Sequence, residues 1–283
     1  MTTGAVVDPE ELDVDETLAA VTEAAPLVNS ITNSVTVNDV ANIVLYWGGL
    51  PVMSNDDREV ADMIDIADAC HLNMGDVSAG GEETMLTAGA AANDGGKPVV
   101  FDPVGVGATP TRTAVAERIV EDLDVTIIKG NHGEISALAG TESEVRGVES
   151  VGEYAEIAET ALAVAQGTDS VVVASGVTDI VASPDAAYEV SVGDPMMGQV
   201  VGTGCMLGVT LAAVAGAIGT EAALEAALAG TVAFGIAGER AADDGVYNGP
   251  ASYRIAFLDA VADAASGFDG GVDAESRVDT IAE

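Results

Sequence analysis

The stretch Gly202-Thr203-Gly204-Cys205 stands directly before an apolar run that reaches Ala217. It reads as a tight loop opening into a buried helix. Glycine lets backbone approach a ligand closely, and the first N–H groups of a helix have no partner inside it. Those donors, with the helix dipole behind them, favour a bound anion, and phosphate is the leading candidate. The thiol of Cys205 has two readings. A helix N-terminus can lower a thiol's pKa so that it takes a proton from a substrate hydroxyl, although bound phosphate would oppose that shift. Alternatively, the cysteine is a small apolar residue packing the first turn.

Two carboxylates fall directly after apolar runs: Asp102 in Phe101-Asp102-Pro103-Val104-Gly105, and Glu134 in Lys129-Gly130-Asn131-His132-Gly133-Glu134. Acids at neighbouring strand ends near a phosphate loop suit Mg²⁺ held largely through water. Equally, Asp102 caps a turn and Glu134 occupies the first turn of a helix, where acids are favoured anyway. Lys129 either contacts a phosphate or is a strand-end lysine in solvent; few other basic residues exist to do the former. His71, inside an apolar strand, reads as a satisfied core histidine, and His132 as lining a site without binding metal. Asn33 and Asn38 either hydrogen-bond a small polar substrate or cap the helix that follows. Met53 either lines an apolar pocket or packs in the core.

These residues need a scaffold. Residues 69–73, 97–101, 125–128 and 170–174 read as strands ending at Met74-Gly75, Asp102, Lys129-Gly130-Asn131 and Ser175-Gly176. Helical patterns cover 84–93, 111–123, 134–139 and 151–166. Strand, turn, helix and strand in repetition predict a parallel sheet with crossover helices, and nearly continuous apolar strands predict burial on both faces. Residues 179–192, around Ser183-Pro184-Asp185, read as a β-hairpin. Residues 205–265 are almost wholly helical. The expectation is a single α/β domain over 1–283, with loose acidic ends at about 1–16 and 267–283. In such sheets ligands bind beyond the carboxyl ends of the strands, where Asn73, Asp102, Lys129, Asn131, Glu134 and Ser175 collect.

Lys and Arg total 9 against 47 Asp and Glu, a formal charge of -38, which repels nucleic acid and anionic membranes. With 48% hydrophobic residues and regular periodicity the chain is folded, not an acidic disordered one. The excess reads as adaptation to a high-salt cytoplasm that screens self-repulsion. Two cysteines, an acidic N-terminus without a signal-peptide pattern, and an apolar stretch (Met206 to Ala217) too short to span a bilayer all predict a cytoplasmic protein.

Together the segments resemble the hydroxyethylthiazole kinase family of the ribokinase-like fold. The resemblance runs from about Leu18 to Ala265. It rests on six segments in family order: Ser30-Ile31-Thr32-Asn33, Pro51-Val52-Met53, Leu72-Asn73-Met74-Gly75, Asp102-Pro103-Val104-Gly105-Val106-Gly107-Ala108, Gly130-Asn131-His132-Gly133-Glu134 and Gly202-Thr203-Gly204-Cys205. The cysteine in the last is discriminating, because related kinases usually carry aspartate there. The resemblance implies a ribokinase-like α/β fold with a mostly parallel sheet, a small β-hairpin and a helical C-terminal third. It also implies ATP-dependent phosphorylation of the hydroxyl of 4-methyl-5-(2-hydroxyethyl)thiazole in thiamine salvage. Met53 and Gly202 would contact the thiazole and Asn33 would position it. Asp102 and Glu134 would organise Mg²⁺ and phosphates. The turn with Gly202, Thr203, Gly204 and Cys205 would form the anion hole, with the thiol near the hydroxyl. Lys129 and Ser175 stand where the family typically has Arg and Thr against ATP, and Asn131 joins that set; Lys keeps the charge without the bidentate fork. A homotrimer with active sites between subunits is implied as well. Alternatives are another small-alcohol kinase of the hydroxymethylpyrimidine type, or a non-catalytic nucleotide- or thiazole-binding protein. The dehydratases that repair hydrated nicotinamide nucleotides share the fold but usually carry aspartate in the glycine-rich turn.

Overall fold

Short apolar runs, four of them closed by Asn, Asp or Ser, alternate with helices along the first two thirds of the chain. The computed structural model describes residues 6–140, 151–243, 247–268 and 270–282. The first elements are α1 (Val14–Ala24), β1 (Leu27–Ile31), α2 (Val37–Tyr46), β2 (Leu50–Val52), α3 (Val60–Ile66) and β3 (Ala69–Asn73). The middle holds α4 (Ala79–Asp94), β4 (Val99–Asp102), α5 (Pro110–Asp122), β5 (Ile127–Asn131), α6 (His132–Leu138), α7 (Val151–Thr168) and β6 (Val171–Ser175). Then follow β7 (Asp179–Ala182), β8 (Ala187–Val190), α8 (Thr203–Ile218), α9 (Ala223–Asp243), α10 (Pro250–Ala264) and β9 (Val278–Ala282).

Among the described residues the strands form one sheet in the order β2-β1-β3-β4-β5-β6-β7-β8-β9. Pairing is parallel from β2 through β6 and antiparallel from β6 through β9. The expected hairpin is β7–β8, and it extends the main sheet instead of standing apart. One face carries α8, α9 and the elements packed on them; the other carries α3 to α7. Helix α8 lies at the centre of the first face, with every residue from Cys205 to Ala215 buried. Its apolar surface runs all round because both the sheet and other helices enclose it. The stretch Thr220–Asp243, mostly α9, is the one helical stretch among the described residues long and apolar enough to cross a membrane. It is longer than the apolar run from Met206 singled out from sequence, and 78% of its apolar window is buried within the protein, so core packing accounts for its composition.

Two expectations change. Helix α4 begins at Ala79 instead of Thr84. Gly80 and Gly81 are poor helix formers, but Ser78 accepts a hydrogen bond from the Gly81 N–H and holds the first turn. The ends expected to be loose are tied down where described. Leu12 and Val14 are buried, Asp15 accepts from the Phe268 and Val272 amides, and β9 pairs with β8. An edge strand with open donors and acceptors outweighs a polar composition there. Residues 1–5, 269 and 283 of those ends lie outside the described residues.

Candidate functional site

Parallel register sets Asn73 beside Asp102 and Asn131 beside Ser175 at the carboxyl ends of their strands. Helix α8 arrives over the same ends. Its N-cap, Gly202, has φ 92° and offers no side-chain cap, whereas Asp13, Ser78, Thr109 and Asn131 cap α1, α4, α5 and α6. The amides of the first turn of α8 are therefore left for another acceptor. A Cβ at Gly202 would meet Thr36 Cγ2 at 2.6 Å, and the positive φ already disfavours any side chain there. Thr203 Oγ1 reaches the Met197 and Val200 carbonyls at 2.9 and 2.8 Å, which closes the turn from behind.

Lys129 belongs inside β5, not beyond its end, and is 3% exposed. A Cβ on Gly204 would sit 2.8 Å from its Nζ, so the ammonium lies directly over the turn. It has no hydrogen bond or ion pair among the described residues. The solvent-facing reading of this lysine is thereby excluded. A buried ammonium with no direct ion pair among the described residues, set against open helix amides, gives this turn two coincident sources of positive potential.

A polar chain leads from the turn into the sheet. Asn33 Nδ2 donates to Cys205 Sγ at 3.6 Å and to Asn73 Oδ1 at 3.1 Å. Asn73 Nδ2 donates to Asp102 Oδ2 at 2.7 Å, while Asp102 Oδ1 is buried without a partner among the described residues. Asn33 Oδ1 also accepts from the Val35 and Thr36 amides, which closes the turn before α2; the N-cap of that helix is Thr36, so the capping reading of Asn33 does not hold. Asn38 is exposed within α2 and accepts from Asn42 instead. Met53 follows the edge strand β2, partly buried against the core. Burial pushes the Asp102 carboxyl up to about 7; Glu134 adds to the rise, and Lys129 and the Asn73 hydrogen bond oppose it. The Cys205 thiol is raised as well, by burial and the nearby Asp102 charge. Of the two readings of this thiol, the one lowered by the helix dipole is therefore not met: desolvation outweighs the dipole here.

Glu134 and Asn131 form a capping box. Asn131 Oδ1 accepts from the Glu134 amide at 2.9 Å, and Glu134 Oε2 accepts from the Asn131 amide at 2.8 Å. Glu134 Oε1 accepts from the Gly105 amide at 2.7 Å, joining the loop after β4 to α6. His71 is fully buried and held neutral, its pKa pushed to about 3 by burial and Lys129. Its Nδ1 pairs with Ser30 Oγ at 2.7 Å but its Nε2 has no partner, so it is only half satisfied. His132 packs against Gly176 and its Nε2 pairs with the Thr178 carbonyl.

The turn also opens into a cavity of about 550 Å³ whose walls include Ser175, Asp179, Met197, Thr203, Gly204, Thr231 and Phe234. Asn131 is not among its lining residues. The sequence reading did not single out Asp179, Thr36 or Arg112. Arg112 donates to the carbonyls of Met74, Val104 and Gly75 at 2.7, 2.7 and 2.8 Å, which clamps the loops after β3 and β4 together. Its one sequence signal was rarity, an arginine among nine basic residues directly after a cap-and-proline helix start.

The family model for hydroxyethylthiazole kinases matches residues 18–266. A hydroxyethylthiazole kinase of Natronomonas pharaonis is 63% identical over 251 residues, covering 89% of this chain and 90% of the relative. One from Haloquadratum walsbyi is 54% identical over 281 residues, covering 99% and 97%. The solved hydroxyethylthiazole kinase of Pyrococcus horikoshii OT3 superposes with a TM-score of 0.83 at 33% identity, over 95% of this chain and 98% of that one. The architecture is ribokinase-like. Length, order of segments and three-dimensional superposition agree, and the chain belongs to the hydroxyethylthiazole kinase family.

Proposed function

We infer that the protein phosphorylates the hydroxyl of 4-methyl-5-(2-hydroxyethyl)thiazole with ATP, a step of thiamine salvage. The observation that carries the reaction type is the meeting of the uncapped N-terminus of α8 with the buried Lys129 ammonium, at the mouth of a nucleotide-sized cavity. In the transfer the substrate oxygen bonds to the γ-phosphorus, the bond to the β,γ-bridging oxygen breaks, and ADP leaves with the hydroxyl proton released. Such a reaction needs alignment and charge stabilisation more than a strong base. The turn amides and Lys129 supply the positive potential. Ser175 and the cavity walls hold the nucleotide. Asn33, Gly202 and Met53 orient the thiazole alcohol beside Cys205.

The residues fit Mg²⁺ as an ion shared with phosphates and waters, not as a ready-made cage. Asp102 has an unpartnered buried oxygen, both Glu134 oxygens already accept backbone N–H bonds, and no group of three His, Cys, Asp or Glu is gathered among the described residues. Asp102 and Glu134 would hold it, and it would supply neutralisation of phosphate charge.

A thiol raised by burial is a poor base, so Cys205→Ser is expected to keep kcat within about tenfold, against the 10²–10⁴ typical of a general base. A loss in that larger range, with thiazole binding intact, would make the thiol an obligatory base. The reaction itself is tested by ADP release in molar KCl with Mg-ATP and hydroxyethylthiazole, hydroxymethylpyrimidine or no acceptor. Turnover with the pyrimidine alcohol alone would sink the reading.

We further infer one kinase domain acting as a homotrimer in a saline cytoplasm. The outer edge of β2 is unpaired among the described residues, and Leu50 on it, Leu45 at the end of α2, Ile66 at the end of α3 and Val35 are 50–73% exposed. Leu50 on the open strand and Leu45 on the helix packed against it put apolar side chains at that edge, which favours subunit contact, and Met53 follows the strand. Both cysteines are free and buried, as a reducing compartment favours. With a charge of -38, the unfolding midpoint is expected to rise about 5–10 °C from low salt to molar KCl. A flat midpoint in scanning calorimetry would remove the high-salt reading.

A further inference from the structure

The cavity beside the turn has a charge pattern that the phosphates do not explain. Its wall at Gly204 lies under the Lys129 ammonium, while Val192, Phe234 and Leu207 give it apolar surface. Four residues on from Ser175, a carboxylate stands in the same wall within reach of the Lys129 charge: Asp179, the first residue of β7. Its Oδ1 accepts from the Gly176 amide at 2.8 Å, which ties it to the loop leaving β6. Its Oδ2 has no partner among the described residues. Burial raises its pKa to about 6, against the pull of the Gly176 hydrogen bond and Lys129, so near neutral pH it is an ionised acceptor in poor solvent.

A carboxylate in a nucleotide cavity repels phosphate, so it must face an uncharged part of the ligand that donates hydrogen bonds. In a nucleoside triphosphate whose phosphates lie at the turn under Lys129, the part next to the phosphates is the sugar. The sugar's two hydroxyls are both donors, and hydrogen bonds to an ionised acceptor are the stronger kind. We propose that Asp179 is a specificity-determining residue that binds the ribose hydroxyls of the nucleotide through Oδ2 and makes the enzyme select ribonucleotides over deoxyribonucleotides. This rests on the reading of the cavity as the ATP site. A second carboxylate, Asp194, lines the same cavity from the loop before α8 and is half-buried like Asp179; its Oδ1 accepts from the Met196 amide at 2.8 Å, and it serves as the control.

The test is the ratio of kcat/KM for ATP to that for 2′-deoxy-ATP and 3′-deoxy-ATP, in the full-length protein and in Asp179→Asn. Asparagine keeps the oxygen that caps Gly176 and replaces only the free acceptor, so the turn is preserved. The expected result is that the parent prefers ATP by about tenfold or more over at least one deoxy analogue, through KM. Asp179→Asn should collapse that preference to about twofold while keeping kcat and the KM for the thiazole alcohol, and Asp194→Asn should leave it unchanged. A parent that does not discriminate, a preference that survives in Asp179→Asn, or one lost in Asp194→Asn alone would overturn the assignment. Photolabelling with 8-azido-ATP separates the two readings. Labels on residues 192–198 or 231–235 with an unaltered preference in Asp179→Asn would leave the ATP site standing and remove only Asp179. Labels elsewhere would remove both.

Discussion

Asp102→Asn should lower kcat by about 10³-fold and yet make the unliganded protein more stable above neutral pH. Both halves follow from where the strand ends. Asp102 is 1% exposed, its Oδ2 is held by Asn73 and its Oδ1 faces no donor. Its negative charge is therefore poorly solvated before ligands arrive, and its pKa lies near 7 against 3.8 for an ordinary aspartate. Between those two values the folded protein keeps a proton that the unfolded chain has released. The stability linked to this group is complete below 3.8, declines as pH rises through 7, and is flat above. Asparagine has the same volume and no such loss. At pH 8 the variant should gain about 1–4 kcal/mol, toward the lower figure because Lys129 loses a compensating charge; at pH 3, below both values, it should match the parent. Calorimetry at the two pH values and ADP release at saturating ATP together decide it. A variant with parental turnover, or with the parent's pH profile of unfolding, would show that Asp102 is neither required nor poorly solvated. An acid that costs stability and is retained for chemistry is the usual trade at functional sites.

Lys129→Met should reduce kcat/KM for ATP by about 10³-fold with little change in binding of the thiazole alcohol. Methionine approximates the length of the lysine stem and keeps β5 packed, so the loss isolates the ammonium. No other basic side chain stands over the Gly202–Gly204 turn among the described residues. The protein has only 9 Lys and Arg in all, so no neighbour can take over the charge. Lys129→Arg should recover part of the rate, because charge returns but a planar guanidinium must fit a point-charge space. Initial rates over a matrix of ATP and acceptor concentrations separate the two KM values. A loss confined to the KM of the alcohol would move Lys129 from the phosphates to the acceptor side.

Much of this was legible without coordinates, because it depends on local rules. Hydrophobic runs of four or five residues closed by Asn, Asp or Ser marked β3, β4, β5 and β6, and helical periodicity between them forced parallel crossovers. Once the sheet is parallel, its carboxyl ends must gather Asn73, Asp102 and Ser175. The glycine turn before an apolar run likewise announced the N-terminus of α8. What spacing cannot express is depth. A lysine at a strand end reads the same in solvent or under a helix; only α8 crossing over β5 made Lys129 a buried ammonium. The dipole argument for a lowered Cys205 pKa was sound for an exposed turn and failed because the helix is enclosed and Asp102 lies nearby. Arg112, Asp179 and Thr36 were not found because their partners are backbone atoms or cavity walls distant in sequence. The polar tail after residue 266 carries no apolar stripe, yet the open edge of β8 paired it into the sheet. Alternation and turn chemistry are encoded residue by residue, so the sequence alone determined the order of the elements and which residues stand at the strand ends. Charge state, burial and the pairing of long-range polar groups depend on which surfaces close over one another, and those the tertiary structure alone decided.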